Sequence, residues 1–600
     1  MKKITAASSI LFVFYSFLGF IPPYNTCTTD PGTNMVTIPD VMNKINMLEK
    51  DANGIHSVSM NVDSFPNFPG FPKHVSGTSN EGGAIFCNMD SDPEPEIVFN
   101  ATYTIYALNI DGSSVPGWPK TVTSGTVGLD GAPAFGDIDG DGQGEIVAVS
   151  HGTTSGGFVY AFKKNGDPVT GFPVNNGYSS RTPVLADLDN NGTMEIIVNE
   201  RVTRVVTVYK GDGTVYPGWP RMIDHVPASS AAVGDITGDG VPEIIAESYN
   251  SLYAWHANGD TVAGFPFTMP NGDKNSYSSP VLADIDGDNV REIVFGTHVL
   301  GAGGFVYVLK NNGTVLSGWP KSTPYWIYSP PAVGYIDGDN VLDIAIGDGG
   351  GTISGSPVFS LFAWNKNGAA LSGFPVTGLW SIDNQPVIAD IDNDNMSEII
   401  VDDNTTQNGL GKYLAFNHDG TPVSGWPVYT TGATFFHEPC VLDINNDGIL
   451  DIIGGAGEGT YPNNYTNIYL WNTGINLNIP KTYNPMWQYN ERHNGVFGDN
   501  PLVGISGNTT TVPKDFKLYT NYPNPFNPST SIKYELPVAS FVKLTVYDIL
   551  GREKAVLVNQ LQHAGTHEVV WDASAYPSGV YFYRLIGDGF SGTEKMILIK

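Results

Sequence analysis

An acidic sequence pattern recurs eight times along the chain, about every fifty residues. In its fullest form it places carboxylates at positions 1, 3, 5 and 9, with small residues between them, as in the segment 137–145. A tight loop of this kind directs alternate oxygens at one centre, and the acid at position 9 returns from the next strand. Ca²⁺ takes about six to eight oxygen ligands, whereas zinc and copper prefer nitrogen or sulfur. The pattern therefore predicts a calcium site in each loop.

We number the loops 1 to 8 in chain order. Their predicted metal ligands are Asn88, Asp90, Asp92 and Glu96; Asp137, Asp139, Asp141 and Glu145; Asp187, Asp189, Asn191 and Glu195; Asp235, Thr237, Asp239 and Glu243; Asp284, Asp286, Asp288 and Glu292; Asp337, Asp339 and Asp343; Asp390, Asp392, Asp394 and Glu398; and Asp443, Asn445, Asp447 and Asp451. Loop 6 has Tyr335 at position 1, and loop 1 has Pro93 where glycine is usual. We expect weaker binding in these two loops.

The charge of the chain supports a cation rather than a nucleic acid as partner. The formal net charge is −30, whereas a nucleic-acid-binding protein needs a basic face. Nearly half of the 60 acidic residues lie in the eight loops. Carboxylates crowded in this way repel one another unless a cation lies between them. We therefore expect up to eight structural calcium ions.

A second motif runs in phase with the loops and indicates the elements that carry them. Gly-Phe-Pro or Gly-Trp-Pro occurs eight times, and all but the first triplet, at Phe71, follow an acidic loop and an Asn-Gly or Asp-Gly turn of the type that joins hairpin strands. Four short strands per period predict an all-β fold, an eight-bladed β-propeller over residues 63–498, with seven blades as the alternative. A strand near Phe65–Pro72 should complete the last blade and close the ring. The segment Tyr483–Phe497 is expected to pack against that last blade.

The segments that flank the repeats have different compositions. Lys2 and Lys3 followed by a short apolar run predict a signal peptide over residues 1–24, and no later segment is apolar enough to cross a membrane. Residues 499–515 have the composition of a linker. Residues 516–600 alternate in a way that predicts a small β-sandwich.

The C-terminal module resembles the type A sorting domain of the type IX secretion system. The resemblance rests on Asn521–Thr530, on Asp548–Glu553, on Ser578–Tyr581 and on the Lys-Met-Ile-Leu-Ile-Lys ending. It implies that the type IX machinery recognises this domain and exports the chain to the outer cell surface or beyond.

The repeats resemble the FG-GAP and VCBS propellers, a family that includes the integrin α head. The segment Ala134–Gly142 lies close to that signature. The resemblance implies calcium binding on one face and partner binding on the opposite face. Carried to this chain, that opposite face includes Tyr178, Arg181 and Tyr277, and its candidate ligand-binding residues are Tyr325, Trp326, Tyr328, Trp380, Phe435, Phe436 and His437.

No nucleophile elbow, zinc-protease motif or phosphate loop occurs in the sequence, which favours a non-enzymatic function. The leading hypothesis is a calcium-binding propeller that acts as a binding or adhesion module for a glycan or an extracellular protein. The alternative is an extracellular polysaccharide lyase or hydrolase with its site at the propeller axis. A passive surface-layer component is a third possibility.

Overall fold

The computed structural model describes residues 44–51, 54–61, 65–499 and 516–600, apart from short gaps at 78–82, 91, 93, 123–127, 153–155, 276, 300–302, 340, 350–356, 404–409, 436, 461–462, 479–480, 537–539, 563–564, 575 and 588–589. The predicted signal peptide and nearly all of the predicted linker lie outside the described residues. Within them the chain is all-β, with two short 3-10 turns at Pro270–Gly272 and Trp487–Tyr489. A separate hairpin pairs Lys44–Asp51 with Gly54–Asn61.

Eight antiparallel sheets follow one another along residues 73–476; each contains four successive strands, in chain order in all but the last sheet. We number them so that sheet n carries loop n. The strands of sheets 1 to 4 are Ile85–Cys87, Glu96–Ala101, Thr104–Leu108 and Lys120–Thr121; Gly128–Gly136, Glu145–His151, Gly157–Phe162 and Val174–Gly177; Ser179–Ala186, Glu195–Glu200, Val205–Tyr209 and Arg221–Met222; and Ala232–Gly234, Glu243–Glu247, Ser251–Trp255 and Phe267–Thr268.

Sheets 5 to 8 repeat this order with small additions. Their strands are Val281–Ala283, Glu292–Val299, Gly304–Leu309 and Lys321–Thr323; Ala332–Gly334, Asp343–Gly347, Phe359–Asn365 and Val376–Leu379; Val387–Ala389, Glu398–Asp403, Leu410–Phe416 and Val428–Thr431; and Cys440–Leu442, Ile449–Thr460, Asn463–Asn476 and Lys73–Ser76. Asp273–Asn275 adds to sheet 5, and Thr482–Asn484 adds to sheet 7.

The fourth strand of sheet 8 comes from the other end of the repeat region. Lys73–Ser76 pairs with the third strand of that sheet, with Lys73 opposite Ile468. This confirms the expected closure, although the strand begins directly after the predicted segment. Cys440 Sγ of sheet 8 lies 3.8 Å from the carbonyl oxygen of Ala84, which precedes sheet 1. The first and last sheets are therefore neighbours, and Cys87 and Cys440 are free, buried thiols.

Apolar side chains between successive sheets form the core. One cluster joins Ile85 and Val98 of sheet 1 to Leu129 and Ile146 of sheet 2, and equivalent clusters join each later pair of sheets. A further cluster joins Leu442 of sheet 8 back to sheet 1. Burial of apolar area is the main favourable term in folding, so these shared faces stabilise the arrangement as a whole. The result is a propeller-like circuit of sheets.

Residues 481–499, which we call the axial segment, lie against the first strands of seven sheets. Six backbone N–H groups of those strands donate to it, and Val333 N–H donates to the Tyr489 hydroxyl. The other contacts are Phe135 to Glu491, Leu185 to Arg492, Val233 to Asn494, Leu282 to Gly495, Asp390 to Lys481 and Val441 to Pro485, all at 2.8–3.0 Å. The segment therefore packs against the last sheet, as expected, and it also reaches six further sheets. Its backbone carbonyls accept hydrogen bonds from the end of the first strand, or from the residue after it, in six sheets.

The glycine of the Gly-Phe/Trp-Pro motif is explained by close approach between neighbouring sheets. A Cβ atom on Gly171 would lie 2.0 Å from the carbonyl oxygen of Asp212, in the hairpin turn of the next sheet. Trp118 of the motif extends the same contact, because its indole N–H donates to the carbonyl of Lys164 at 2.7 Å. The glycine of the triplet makes this close approach to the next sheet at seven of its eight occurrences, Gly425 being the exception.

The C-terminal residues form two facing sheets. One contains Lys517–Leu518, Ser529–Leu536 and Gly565–Asp572, and the other contains Ser540–Asp548, Glu553–Gln562, Gly579–Gly587 and Phe590–Leu598. Ile532, Leu544, Tyr583 and Trp571 belong to the single apolar cluster of this unit. This agrees with the predicted sandwich.

We predict that Gly171→Ala destabilises the protein more than Gly425→Ala does. Both glycines belong to the same motif and have positive φ angles of 98° and 86°, so both substitutions incur left-handed backbone strain of about 1–2 kcal/mol. Only Gly171 meets a neighbouring carbonyl, whereas nothing lies within 4 Å of a Cβ on Gly425. Overpacking should raise the cost of Gly171→Ala to about 2–5 kcal/mol. Thermal melting of the two variants in calcium checks this, and equal melting temperatures would contradict it.

Candidate functional site

Each acidic loop is held by the strand pair on which it sits. The residue at position 9 is paired with the last residue of the first strand in all eight sheets, for example Glu145 with Gly136 and Glu398 with Ala389. The ladder thus fixes both ends of the loop. All eight loops therefore lie at the same edge of their sheets.

The acid at position 9 is buried in every loop, and in four loops only one of its oxygens has a hydrogen-bond partner. That oxygen accepts the backbone N–H at position 2 of the loop, at 3.0 Å from Ile138 in loop 2 and 2.8 Å from Ile391 in loop 7. The other oxygen has no hydrogen-bond partner in Glu145, Asp343, Glu398 or Asp451. A buried carboxylate oxygen without a partner is costly in a protein interior. These oxygens are therefore better suited to act as ligands of a cation than to serve a purely structural role.

The acid at position 1 shapes the loop. Asp137 accepts the N–H groups of Gly140 and Gly142 at 2.7 and 2.9 Å, and Asp235 and Asp284 do the same in their loops. At positions 3 and 5 one oxygen of each acid accepts a backbone N–H two residues further on, as in Asp139 and Asp141. Such Asx turns hold the loop tightly and leave further carboxylate oxygens at positions 3 and 5.

Three carboxylates converge in five of the loops, with ligand atoms within 4.8 Å of one another. These groups are Asp90, Asp92 and Glu96; Asp137, Asp139 and Glu145; Asp187, Asp189 and Glu195; Asp284, Asp286 and Glu292; and Asp390, Asp392 and Glu398. Loops 4 and 8 have Thr237 and Asn445 at position 3, so they cannot form such a group at positions 1, 3 and 9. Oxygen donors of this kind fit Ca²⁺.

The two loops expected to be weak differ from each other. Loop 1 brings Asp90, Asp92 and Glu96 together although Pro93, which lies outside the described residues, replaces glycine. In loop 6 the acids Asp337, Asp339 and Asp343 form no such group among the described residues. Tyr335 packs instead against Tyr483 of the axial segment at 5.1 Å between ring centroids. Weak binding by loops 1 and 6 stays a prediction.

Burial and mutual repulsion raise the pKa of the acids at position 9. Burial is the larger cause, and the neighbouring loop carboxylates add to it. The pKa rises to about 7 for Glu96, Glu145, Glu195, Glu292 and Asp343, and to about 8 for Glu398 and Asp451. A bound cation would favour the charged form of the same groups.

Two lysines that the loop pattern did not predict lie at the carboxylates. Lys163 Nζ is 2.8 Å from both Asp139 Oδ2 and Asp141 Oδ2, and Lys310 Nζ contacts Asp286 and Asp288 in loop 5. Both lysines directly follow the third strand of their sheet. This shared position is the sequence signal from which their contact with the loops could have been predicted.

The opposite edge of the sheets carries the predicted partner-binding residues. In sheet 3 the acidic loop follows the pair Ala186–Glu195, whereas Ser179 pairs with Glu200 at the other end. Tyr178 and Arg201 therefore lie beyond that other end. The connection that holds Tyr325, Trp326 and Tyr328 joins the fourth strand of sheet 5 to the first strand of sheet 6, so it lies on the same face.

Side chains on this face form a continuous cluster that extends from sheet 3 to sheet 6. The Arg181 guanidinium carbon lies 4.1 Å from the centroid of the Tyr277 ring. Tyr277 contacts Tyr328 at 5.0 Å, Tyr328 contacts Trp326 at 6.0 Å, and Trp326 contacts His298 at 4.6 Å between ring centroids. We call these five residues, together with the 38% exposed Tyr325, the aromatic cluster.

The remaining predicted ligand-binding residues are not brought into this cluster. Trp380 and Phe435 are half-buried on sheets 7 and 8, and Phe436 lies outside the described residues. His437 is only 3% exposed, and burial lowers its pKa to about 4. Its backbone carbonyl accepts hydrogen bonds from Asn384 and Tyr413, so His437 belongs to the interior.

Comparison with known proteins gives two family matches. Residues 137–198 match an FG-GAP-like repeat, and residues 520–600 match a secretion system C-terminal sorting domain. No curated protein matches the chain. Within the described residues, no helix has the length and apolar character needed to cross a membrane.

Among solved structures, the biofilm matrix protein Bap1 of V. cholerae is 13% identical, with a TM-score of 0.50 over 72% of this chain and 96% of Bap1. This likeness extends to the fold alone. PorZ, a surface component of the type IX secretion system of Porphyromonas gingivalis, is 12% identical with a TM-score of 0.32, over 93% of this chain and 80% of PorZ. The WD40 domain of Toxoplasma gondii coronin is 9% identical with a TM-score of 0.36, over 72% of this chain and 95% of that domain.

The fold and the C-terminal domain define the class first: this is an all-β, propeller-like protein that is secreted or displayed at the cell surface. More particularly, it carries an FG-GAP-like repeat and a sorting domain for export by the type IX secretion system.

We predict that, in a chelator, the protein becomes less stable as the pH rises from about 5 to about 8. The folded-state pKa of the position-9 acids is raised above the ordinary value near 4.5, so their stabilising contribution is present below that value and is lost through about 7 to 8. Calcium binds the ionised form, so the stabilisation by calcium should grow over the same window.

Thermal melts at pH 5, 6, 7 and 8, with chelator and with calcium, check this prediction. The buried Glu247 also has a pKa raised to about 8, so only the calcium-sensitive part of the slope is assigned to the loops. A calcium effect that is independent of pH would count against the assignment.

Proposed function

We propose that residues 63–498 form an eight-bladed β-propeller, stabilised by calcium in its acidic loops, that binds extracellular glycans through the aromatic cluster. The sorting domain would deliver this binding module to the cell surface or the medium. The observation that carries the proposal is the aromatic cluster itself, which lies at the sheet edge opposite to the loops. We expect this division of roles because the loops contain buried acids suited to a cation, whereas the opposite face contains exposed and half-buried rings.

Calcium as the ion of the loops is supported by the donor set. The loops offer carboxylate oxygens from Asp and Glu, with side-chain amides or a hydroxyl in a few, and no nitrogen or sulfur ligand from His or Cys among the predicted ligands. Hard oxygen ligands in a tight turn suit Ca²⁺. When bound, the ion would neutralise the crowded carboxylates, and Glu398 and its equivalents would hold it from the second strand. Each loop would then tie the first two strands of its blade.

We predict that removal of calcium lowers the melting temperature markedly. A ligand at about 100 times its Kd contributes about 2.7 kcal/mol per site to the folded state. Glu398→Gln should reduce the calcium-dependent shift, since it removes a charged ligand from loop 7 with little change in shape. Asp111→Asn is the matched control, because it removes one charge from a hairpin turn outside the loops. Melts with chelator and with added calcium decide the matter, and an unchanged melting temperature would refute a structural calcium.

A glycan fits the aromatic cluster for two reasons. Ring faces pack against the apolar faces of sugar rings, and the guanidinium of Arg181 provides several donors for hydroxyl groups. Arg181 and Tyr277 also adopt left-handed backbone angles, with φ of 75° and 59°, which are unusual for bulky residues. Backbone strain of this kind persists only where the surroundings determine it, and it is concentrated at functional sites. The pair therefore holds a defined geometry on this face.

The alternative of a polysaccharide-degrading site at the axis is less well supported. The axial segment lies against the first strands of seven sheets, at the ends of these strands that lead into the acidic loops. Its His493 is buried and has both ring nitrogens near backbone carbonyls, of Trp487 at 3.3 Å and Pro133 at 2.9 Å. Arg492 forms an ion pair with Asp499 at 2.6 Å. These side chains are engaged in structural contacts, so the geometry favours binding over catalysis.

We predict that Tyr325→Ala and Arg181→Gln each weaken glycan binding by about 1–2 kcal/mol, or roughly tenfold, because each removes part of the contact surface. A glycan array on the full chain identifies the ligand, and a binding titration on the best ligand measures the loss. Met222→Ala, at a 76% exposed side chain in the fourth strand of sheet 3, is the control.

Four outcomes would contradict the glycan proposal. The array could yield no ligand, or the two variants could bind as tightly as the wild-type chain. Release of new reducing ends or unsaturated products from a bound glycan would instead favour the lyase or hydrolase hypothesis. Capture of a protein partner that depends on Tyr325 would replace the glycan with a protein ligand at the same face.

A further inference from the structure

The ammonium groups of Lys163 and Lys310 lie at the carboxylates proposed as calcium ligands. Lys163 Nζ is 2.8 Å from Asp139 Oδ2 and 2.8 Å from Asp141 Oδ2, which are positions 3 and 5 of loop 2. Lys310 Nζ contacts the corresponding acids of loop 5, Asp286 and, at 3.4 Å, Asp288. Each lysine thus bridges the same pair of positions in its loop.

The strand register explains why a residue at this place reaches the loop. Phe162 is paired with Ile146, so Lys163 comes directly opposite Glu145, the acid at position 9. Cross-strand neighbours lie about 4.5–5.5 Å apart, and a lysine stem extends beyond that distance to the loop. The residue opposite position 9 on the third strand therefore lies beside the acidic loop in every sheet.

The residue at this position divides the eight sheets into two groups. Sheets 2 to 5 have a basic residue there, namely Lys163, Lys210, His256 and Lys310. Sheets 1, 6, 7 and 8 have asparagine, namely Asn109, Asn365, Asn417 and Asn472. In sheet 4, His256 Nδ1 lies 3.0 Å from Glu243 Oε1, so the contact with the loop extends to a third sheet.

The ammonium groups compete with any ion for the same oxygens. Asp139 and Asp141 each use Oδ1 to accept a backbone N–H and Oδ2 to accept Lys163, so both oxygens of both acids are engaged. A divalent cation that binds these acids must displace the ammonium or lie beside it, and two cations at close range repel each other. The lysine side chains are 38% and 34% exposed, and exposed ion pairs are weak, so displacement is possible at moderate cost.

We propose that Lys163 and Lys310 are intramolecular competitors for calcium, which make loops 2 and 5 weaker calcium sites than loop 7. The inference rests on the proposed role of calcium in the loops. It adds that the eight loops are not equivalent and that calcium fills them in an order set by the residue opposite position 9 on the third strand. Loops 2 and 5 should keep their carboxylates partly neutralised at low calcium, whereas loop 7 depends on the ion.

The test compares the full-length wild-type chain with Lys163→Asn/Lys310→Asn, which introduces the residue found in four other sheets. Native mass spectrometry at limiting calcium counts the bound ions, and calorimetric titration gives the dissociation constants. We expect two sites to tighten by about two- to fivefold, which is the order of effect of losing an exposed ion pair. The variant should also melt at a lower temperature than wild type in chelator.

Three further variants keep the test specific. Lys163→Gln/Lys310→Gln retains most of the side-chain stem, so it separates loss of charge from loss of packing. Lys366→Asn removes a positive charge from a lysine that forms no ion pair with the described acidic residues, and should leave calcium binding unchanged. Asn417→Lys places an ammonium beside loop 7 and should weaken one site.

Unchanged or weaker calcium binding by both double variants, with a wild-type chain that binds calcium, would overturn the competitor role and leave the proposed function intact. A wild-type chain that binds no calcium would overturn both. Equal tightening in Lys366→Asn would assign the effect to net charge rather than to the loop contact, and would also overturn the inference.

Discussion

The structure depends on a single repeated constraint, the buried carboxylate at position 9 of each acidic loop. It starts the second strand, accepts a backbone N–H from position 2 and in several loops leaves one oxygen without a partner. This arrangement is unfavourable for an isolated charge in a protein interior. A cation shared with the acids at positions 1, 3 and 5 would convert it into a favourable contact. The carboxylate oxygens and the cation would then balance the charge of the loop, hold the first two strands together and fix the shape of the loop.

The sheets depend on one another in a second way, through their contacts around the circuit. Lys73–Ser76 completes the last sheet, glycines such as Gly171 contact the next hairpin, and the axial segment contacts seven first strands. Each sheet buries its faces against two neighbours, so no sheet has an independent core. Stability is therefore a property of the whole circuit, which suits a protein that must remain folded outside the cell.

The two edges of the sheets have different chemistry. The loop edge concentrates acids, together with the few lysines that reach them. The opposite edge presents rings and Arg181, held by unusual backbone angles at Arg181 and Tyr277. Rigid attachment of the loops would keep the aromatic cluster in a fixed shape, which lowers the entropy lost when a ligand binds.

The sequence by itself determined the repeat, the all-β class, the positions of the acidic loops and the closing strand, because each depends on local spacing and on turn chemistry. It also indicated the sorting domain from short motifs. Only the tertiary structure decided that residues 481–499 contact seven first strands, that His437 is buried while Tyr325 is exposed, and that Lys163 lies at Asp139 and Asp141. These features depend on contacts between residues far apart in the chain or across a ladder, and no local pattern specifies which side chain fills the space between neighbouring elements.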